Sequence, residues 1–537
     1  MPNKIKKMKK TLIFSVFFII SSTIFSQSWK IYPYTPAGSL ISFPIDEGRH
    51  SAEPTEWWYT IGHLTGDSTG NHYSYMLTYF YYPVGIFDGF RILNISNDDI
   101  GLFFDETKAL TYNVLATDSV YIEAEIFLGG TETWYNKIDT LGNSLPFEYE
   151  ISASATNGSL NLEYDALKPP LILADSGFLY QGYTDYTYYY SQTKNAVSGI
   201  ITFDGITESV SGTSWIDRQY GTFNPSSGQE YEWFCIQLSN GMDINVWNIF
   251  TSDDEIPDTL TFKILSAYVD DTTQYTTSDF EIERLKYAYM PDSLMCYSQK
   301  WRITSVVNNI DIVISTLHSD YEVQLPFRFY EGSTTIAGTV DGNNVTGIGF
   351  AELLHSYERP DMTMTNTLMW NVATPLTWQL NNPDDGNPLK YDLEYSIDNQ
   401  QTFLLIDSQL IDTLYYWNTT PLLEGDTCWI KITGYSIDTT LTNSIITKLI
   451  VNNSSLVNEI RNQRSVFIYP NPTTGQFTIK GENIQRIEVA DINGKIIYSS
   501  MHHQTNLSID LGVLPKGMYF VKVTTDLETI VKKLILE

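Results

Sequence analysis

Two aromatic-rich stretches on either side of a polar turn constrain the fold more than any other part of this sequence. The first covers residues 57–64 (WWYTIGHL) and the second covers residues 72–83 (HYSYMLTYFYYP), with the turn at residues 66–71. Aromatic residues favour strands, and two such runs around a turn containing Gly and Asn predict a β-hairpin. Because side chains alternate along a strand, the first strand has two distinct faces. One of them carries Trp57, Tyr59, Ile61 and His63.

Short strands and turns continue in the same way to about residue 360. Turn signals such as Asn157-Gly158, Asp204-Gly205 and Asn240-Gly241 separate the strand-like runs, and this spacing suits a barrel or a sandwich. The sequence has 37 Tyr, 26 Phe and 12 Trp and no long amphipathic helical run, so the chain is predicted to be all-β. Its 537 residues exceed one ordinary core, and two similar β-rich halves are expected, at residues 27–205 and 206–362.

Two further β-rich segments follow these halves. Over residues 366–452 the composition shifts toward Asn, Thr and Asp, and short strands at close intervals are typical of a fibronectin type III or immunoglobulin-like sandwich. After a polar linker, residues 465–537 are predicted to form a small β-sandwich with turns at Asn493-Gly494 and Lys516-Gly517. The mature chain is therefore expected to contain four β domains.

The N-terminus has the organisation of a secretory signal peptide over residues 1–26. Lysines between Lys4 and Lys10 precede an apolar run from Leu12 to Ile20, and small polar residues follow up to Ser26. The apolar run is too short to span a bilayer, so we predict export with cleavage near Ser26 rather than a membrane anchor. No later stretch is long and apolar enough to cross a membrane.

Charge and cysteine content narrow the range of partners. Removal of the signal peptide leaves 27 basic against 63 acidic residues, which opposes binding to nucleic acids and to anionic membrane surfaces. The acidic loops 253–255 and 384–387 suit calcium by composition alone, since neither has EF-hand spacing. Three widely spaced cysteines do not suggest a disulfide framework or a zinc motif. They are Cys235, Cys296 and Cys428.

Signatures of common enzyme classes are absent from the sequence. It has no G-x-S-x-G, H-E-x-x-H, Walker A or dinucleotide-binding motif, so no cofactor is predicted. His50, His63 and His72 are close in sequence, and the last two could face each other across the hairpin. No Cys or carboxylate lies at a suitable ligand spacing beside them, so no metal site is assigned.

Asp217 is the leading candidate for a catalytic acid. It lies in the run SWIDRQY, where Trp215 and Asp217 are predicted to share one strand face. If this face lines a barrel interior, desolvation raises the pKa of the carboxyl, which then holds a proton for donation to a carbon–carbon double bond. Neighbouring aromatic faces would stabilise the resulting carbocation. The alternative is a structural role for Asp217, as an ion pair with Arg218 or a hydrogen bond to the backbone.

Four stretches, in order along the chain, resemble the AttH and carotenoid 1,2-hydratase (CrtC-like) family. They are residues 56–64 (EWWYTIGHL), 212–221 (GTSWIDRQYG), 232–241 (EWFCIQLSNG) and 330–353, which begins with YEG and ends with EL. The resemblance implies two tandem lipocalin-like β-barrels. It also implies the role of proton donor in cofactor-free hydration for Asp217.

Other residues in these blocks are expected to line or support the pocket. They are Glu56, Trp57, Tyr59, His63, Trp215, Trp233, Tyr330, Glu331 and Glu352. Structural hydrogen bonding is the alternative role for the three glutamates, and filling of the core is the alternative for the aromatic residues.

The C-terminal residues resemble the sorting domain of the type IX secretion system. The matching pieces are Tyr469-Pro470-Asn471-Pro472, residues 491–495 (DINGK), residues 514–519 (LPKGMY) and the final KKLILE. The resemblance implies a Bacteroidetes-type bacterium, the type IX machinery as a partner, and delivery to the outer cell surface with removal of this domain.

These observations together predict an exported two-barrel protein that hydrates an apolar unsaturated ligand, isoprenoid or lipid-like in character. Two alternatives stay open, namely a non-catalytic lipocalin-like lipid carrier and a cell-surface attachment protein with scaffold barrels. A catalyst needs Asp217 in an enclosed aromatic cavity, a carrier needs the cavity alone, and a scaffold needs neither.

Overall fold

The structure, a computed structural model, describes most of the chain beyond the predicted signal peptide. Residues 1–26 and the predicted linker at 453–464 lie outside the described residues. The described residues are 27–223, 228–371, 373–417, 422–452, 466–481, 483–492, 494–501, 506–526 and 529–537. Strands dominate them, and one 3₁₀ helix, Ile45–Glu47, precedes the first strand. The prediction of an all-β chain is confirmed.

Twelve strands form the first sheet, and ten of them close into a barrel. The closed order is β11-β12-β1-β2-β3-β4-β5-β6-β7-β8, with β8 paired to β11, while β9 and β10 pair with β11 outside the ring. The strands are β1 (Thr55–Gly66), β2 (His72–Val84), β3 (Phe87–Asn97), β4 (Leu102–Leu115), β5 (Tyr121–Ile126), β6 (Thr131–Ile138), β7 (Ser144–Ala155), β8 (Gly158–Ala166), β9 (Leu171–Ile172), β10 (Phe178–Gln181), β11 (Asp185–Phe203) and β12 (Ile206–Gly221). The predicted aromatic hairpin is the antiparallel pair β1–β2.

A second sheet of ten strands curves into a half-barrel. Its order is β16-β15-β14-β13-β22-β21-β19-β18-β17, with β20 paired to β21, and no pairing between described residues joins β16 to β17. The strands are β13 (Tyr231–Leu238), β14 (Asp243–Ile249), β15 (Lys263–Asp270), β16 (Thr273–Thr277), β17 (Glu281–Tyr289), β18 (Cys296–Ser305), β19 (Ile310–Thr316), β20 (Glu322–Val323), β21 (Phe329–Val340) and β22 (Asn343–Leu353).

The predicted division between residues 205 and 206 is wrong, because β12 belongs to the first barrel. Phe203 pairs with Ile206 across a two-residue turn, and β12 then runs between β11 and β1. Asp204-Gly205 is therefore a hairpin turn between two neighbouring strands of the barrel. A turn of this kind and a domain boundary have the same local sequence signal. The chain passes to the half-barrel between Gly221 and Tyr231.

Apolar side chains form one core inside the barrel, one inside the half-barrel and a third between the two sheets. Because side chains alternate along a strand, those of β12 belong to two of these cores. Ile216 packs in the core inside the barrel, whereas Trp215 packs in the core between the barrel and the half-barrel. Asp217 shares the face of Trp215. The condition that this face lines a barrel interior is therefore not met, since the face forms the boundary between the barrel and the half-barrel.

A β-sandwich follows, as predicted, with sheets β23-β25-β28 and β24-β30-β29-β26-β27. Its strands are β23 (Met362–Met364), β24 (Met369–Trp370), β25 (Leu376–Leu380), β26 (Lys390–Ser396), β27 (Leu404–Leu410), β28 (Leu414–Tyr415), β29 (Thr427–Tyr435) and β30 (Thr442–Val451). Trp417 stacks on Trp370 in the core of this sandwich, with ring centroids 5.7 Å apart.

The last domain has sheets β31-β32-β35 and β34-β33-β36-β37 around one apolar core. Its strands are β31 (Phe467–Tyr469), β32 (Gln476–Lys480), β33 (Ile484–Ala490), β34 (Ile496–Met501), β35 (Asn506–Asp510), β36 (Gly517–Thr525) and β37 (Thr529–Leu536). Within the described part of the chain, no helix has the length and apolar character needed to cross a membrane.

Candidate functional site

A cavity of about 60 Å³ lies between the outer face of the barrel and the facing side of the half-barrel. Its walls are mainly aromatic, with rings from both sheets. Six of these rings belong to Trp57, Tyr59, Phe80, Trp233, Trp247 and Phe329. Two carboxyl groups, those of Asp217 and Glu352, also reach the cavity. An apolar chamber with few polar groups is the usual form of a small-molecule site.

Cross-strand register brings the barrel side of the site together. Asp217 on β12 is flanked by Tyr59 on β1 and by Ser191 on β11. Residues opposite each other on neighbouring strands project to the same side of a sheet. The aromatic face of the first hairpin therefore continues into the face that carries Asp217.

Three donors hold the carboxylate of Asp217. Ser191 Oγ and Trp215 Nε1 donate to Oδ1 at 2.6 Å each, and Tyr189 donates its phenolic proton to Oδ2 at 2.5 Å. Arg218 does not take part, because its guanidinium lies inside the barrel over the Trp58 ring, at 3.9 Å from the centroid. The Asp217–Arg218 ion pair considered above is thus not formed.

Burial dominates the electrostatics of Asp217, whose residue is 3 % exposed. Desolvation raises the pKa of Asp217 to about 7, although the hydrogen bonds from Ser191, Tyr189 and Trp215 favour the charged form and act in the opposite direction. A pKa near neutrality allows the same group to hold a proton and to release it, as a general acid requires.

Tyr189 connects Asp217 to the half-barrel. While it donates to Asp217, its oxygen accepts hydrogen bonds from Trp233 Nε1 at 3.0 Å and Asn245 Nδ2 at 2.7 Å. With two donors fixing its oxygen, the hydroxyl proton of Tyr189 is directed at the carboxylate. The acid is therefore positioned by side chains from both sheets.

The opposite wall contains Glu352, and a second glutamate, Glu331, lies directly behind it. Glu331 and Glu352 are cross-strand partners on β21 and β22. Tyr59 donates to Glu331 at 3.0 Å, and Tyr231 donates to Glu352. Burial raises the pKa of Glu331 well above its usual range, and the neighbouring charge of Glu352 raises it further; burial also raises the pKa of Glu352. This pair therefore holds a proton to higher pH than an isolated glutamate does.

A family model described as AttH-like matches residues 34–357, which include the barrel, the cavity and the half-barrel. The chain belongs to the AttH-like family. A second model, the secretion system C-terminal sorting domain, matches residues 467–537. The predicted relationship to AttH and the predicted type IX sorting domain are both confirmed. No curated protein matches the chain.

Solved structures similar to this AttH-like chain include a putative AttH from Nitrosomonas europaea. It is 21% identical, with a TM-score of 0.49, and the match covers 60% of this chain and 98% of that chain. Kievitone hydratase from Nectria haematococca is 15% identical, with a TM-score of 0.48 and coverage of 60% of this chain and 98% of that chain.

Some predicted site residues of the AttH-like region lie at the cavity and others lie away from it. Trp57, Tyr59, Trp233 and Glu352 line the cavity. Trp215 and Glu331 lie directly behind the lining. Trp215 donates a hydrogen bond to Asp217, and Glu331 accepts one from Tyr59. Tyr330 is buried in the half-barrel core, where it donates to the carbonyl of His318 at 2.5 Å.

Glu56 lies inside the barrel wall, away from the cavity lining. Its carboxylate forms ion pairs with Arg218 and Arg49 and accepts the backbone N–H of His50 at 2.8 Å. Burial is the largest effect and opposes the charge of Glu56, but the charges of Arg218 and Arg49 and the hydrogen bonds from His50 and Arg218 together outweigh it, so the pKa of Glu56 is lowered. This carboxylate joins the first loop to β12.

The three histidines singled out in the sequence occupy separate environments. His63 pairs with Ser74 rather than facing His72, and burial lowers its pKa to about 4. His50 contacts Asp46 at 2.7 Å, and His72 contacts Asp99 at 3.0 Å. The possibility that His63 and His72 face each other across the hairpin is therefore not realised.

Sequence reasoning missed Tyr189, Ser191 and Asn245, which position the acid. The aromatic run at residues 182–194 was an available signal, since its alternation predicts that Tyr189 and Ser191 share a face. Nothing in that run identifies β12 as its neighbour. The partners of Asp217 become visible only through the pairing of β11 with β12.

Proposed function

We propose that this protein catalyses the cofactor-free, acid-catalysed addition of water to a carbon–carbon double bond of an apolar ligand. The observation that carries the proposal is Asp217, a desolvated carboxyl with a pKa of about 7 in the wall of an aromatic cavity. Such a group is able to donate a proton at neutral pH, whereas an exposed aspartate is ionised there.

In the first step the Asp217 carboxyl protonates one alkene carbon, and the electron pair of the double bond forms the new C–H bond. The other carbon becomes a carbocation. The faces of nearby rings, such as Trp57 and Trp233, stabilise this charge through their quadrupoles. Water then adds to the cation, which forms the C–O bond and leaves a proton on the added oxygen.

Glu352 is positioned to receive that proton, because its carboxyl faces the same cavity as Asp217. Its charge also adds to the effect of burial in raising the pKa of Asp217, so the two groups are electrostatically linked. Return of one proton to Asp217 closes the cycle. The net reaction consumes one alkene and one water and yields one alcohol.

The chemistry of the chamber supports an isoprenoid or lipid-like ligand. Most lining side chains are apolar, and in the described part of the lining no basic side chain is available to bind a phosphate or carboxylate. An uncharged, unsaturated hydrocarbon portion matches these walls.

The location of the reaction follows from the two ends of the chain. The sorting domain supports export by the type IX system and display at the cell surface, and the predicted signal peptide at residues 1–26 supplies passage through the inner membrane. The ligand is therefore a compound met outside the cell of a Bacteroidetes-type bacterium.

The test compares purified residues 27–537 with the variants Asp217→Asn and Asp118→Asn, the latter at an exposed site. Each protein is incubated with a mixed extract of unsaturated lipids and isoprenoids in H₂¹⁸O and analysed by mass spectrometry. We expect a product that has gained one labelled water with wild type and Asp118→Asn and none with Asp217→Asn.

The cavity alone also suits a carrier, and the same experiment separates the two functions. A ligand that co-purifies unchanged with wild type and with Asp217→Asn would establish a binder and reject the catalytic role of Asp217. Labelled product from Asp217→Asn at the wild-type rate would retain the hydratase but exclude this residue as its acid.

A further inference from the structure

Three potential metal ligands meet at the edge of the half-barrel, outside the cavity lining. They are Glu230 just before β13, Asp254 in the loop after β14, and His355 just after β22. His355 Nδ1 lies 2.9 Å from a carboxylate oxygen of Glu230 and 4.0 Å from Asp254 Oδ1. One potential ligand atom from each of the three residues lies within 4.8 Å of the other two.

The ring of His355 is held as metal-binding imidazoles usually are. Its side chain is 2% exposed and is stacked on Phe250, with centroids 3.8 Å apart. Nε2 lies 3.5 Å from a carboxylate oxygen of Asp385 and has no closer hydrogen-bond partner in the described residues. A carboxylate therefore lies behind the second ring nitrogen, while the first nitrogen faces Glu230 and Asp254.

The two carboxylates at the front are partly open to solvent. The side chains of Glu230 and Asp254 are 36% and 44% exposed, which leaves room for water to complete a coordination shell. A tight turn fixes Asp254: its N–H bonds the carbonyl of Thr251 at 3.0 Å, and its φ is 59°. The acidic loop is thereby directed at His355 before any ion arrives.

We propose that Glu230, Asp254 and His355 bind a divalent transition-metal ion of the Zn²⁺ class. One imidazole nitrogen, two carboxylate oxygens and a water suit Zn²⁺, whereas Ca²⁺ prefers oxygen ligands alone. The site combines part of one acidic loop that the sequence offered for calcium, 253–255, with a histidine that no motif indicated. Asp385, from the second acidic loop (384–387), lies behind His355.

This ion has a structural role at the junction of two domains. Asp385 lies in the β-sandwich segment between β25 and β26, while the three ligands belong to the half-barrel. Glu230 also precedes Tyr231, which lines the cavity and donates to Glu352. Binding of the ion therefore fixes the β-sandwich against the half-barrel close to the rim of the cavity.

The experiment uses residues 27–537, treated with EDTA, dialysed, and titrated with ZnCl₂ in a calorimeter. The variants are Asp254→Asn and Glu230→Gln, and the matched control is Asp253→Asn, which makes the same charge change at the adjacent exposed residue. We expect at least tenfold weaker Zn²⁺ binding at one site in both variants, with wild-type binding in the control.

Zn²⁺ is also expected to raise the Tm of wild type and of Asp253→Asn and to leave the Tm of the two variants unchanged, since only a ligand bound to the folded state stabilises it. Equal Zn²⁺ binding by all four proteins, or none by wild type, would show that the three residues form hydrogen-bonded ion pairs only. Binding of CaCl₂ without binding of ZnCl₂ would overturn the assigned class of ion.

Discussion

Glu331 on β21 and Glu352 on β22 are paired directly across the two strands, and the charge of Glu352 raises the pKa of Glu331. Glu331 is 1% exposed, and the oxygen not bonded to Tyr59 has no partner among the protein atoms described. Two enclosed carboxylates this close cannot both be charged at low cost. The pair therefore binds a proton more readily than an isolated glutamate does.

The Glu331→Gln variant tests the stability consequence of this proton. Burial and the charge of Glu352 raise the pKa of Glu331, so above pH about 4.5 the folded state binds more protons than the unfolded state. The free energy of unfolding then falls as pH rises. We expect a smaller fall for Glu331→Gln in urea unfolding between pH 5 and pH 8.

An exposed glutamate on β17 provides the control for this measurement. Glu283→Gln makes the same chemical change at a solvated position and is expected to keep the wild-type slope. Asp217 and Glu47, whose pKa values burial raises to about 7, contribute to the slope that remains in Glu331→Gln. Coincident slopes for Glu331→Gln and wild type would contradict the shared-proton account.

The second prediction concerns the ion pair of Glu56 with Arg218. Both side chains are at most 1% exposed, so Glu56→Gln leaves a buried guanidinium without its charge partner. We expect the free energy of unfolding to fall by about 3–5 kcal/mol in urea unfolding. Asp311→Asn, which removes the surface pair with Arg302, is expected to cost less than about 1 kcal/mol. Similar losses in the two variants would argue against a structural role for Glu56.

Strand alternation predicted much of this site from the sequence. Trp57 and Tyr59 share a face, and Trp215 and Asp217 share another, because the period of a strand is two residues. Alternation predicts which side chains share a face of a strand, but it does not predict which face lies inside the barrel. The face that lines the cavity is the outer face of the barrel, and a second sheet covers it.

Long-range pairing accounts for the features that the sequence did not reveal. Ser191 reaches Asp217 through a β11–β12 register that shifts between Gln192 and Asn195, and no local pattern encodes that irregularity. Likewise, Asp254 and Asp385 are far apart in sequence, and only folding brings them to either side of His355. Local propensities determine the strands and turns, whereas the two candidate sites form from contacts between strands and loops that are distant in sequence.

The third prediction concerns the sorting domain. Removal of residues 467–537 deletes the segment that the secretion system recognises, without cutting any strand of the barrel, the half-barrel or the β-sandwich. We expect the shortened protein to accumulate inside the cell envelope while the full chain reaches the surface, as measured by protease accessibility on intact cells. Surface display of the shortened protein would contradict this role.

The last prediction links the hydrogen bonds of Asp217 to the pH dependence of hydration. The acid must be protonated, and burial raises its pKa to about 7, so the rate is expected to decline as pH rises past 7. The bond from Ser191 favours the charged form, so Ser191→Ala raises the pKa and moves the declining limb to higher pH. Ser198→Ala, at an exposed site on β11, is expected to keep the wild-type profile. Rates of hydration measured from pH 5 to pH 9 distinguish the profile of Ser191→Ala from that of wild type. A limb displaced to lower pH in Ser191→Ala would exclude Asp217 as the proton donor, because loss of a donor to its carboxylate can only make the proton harder to remove.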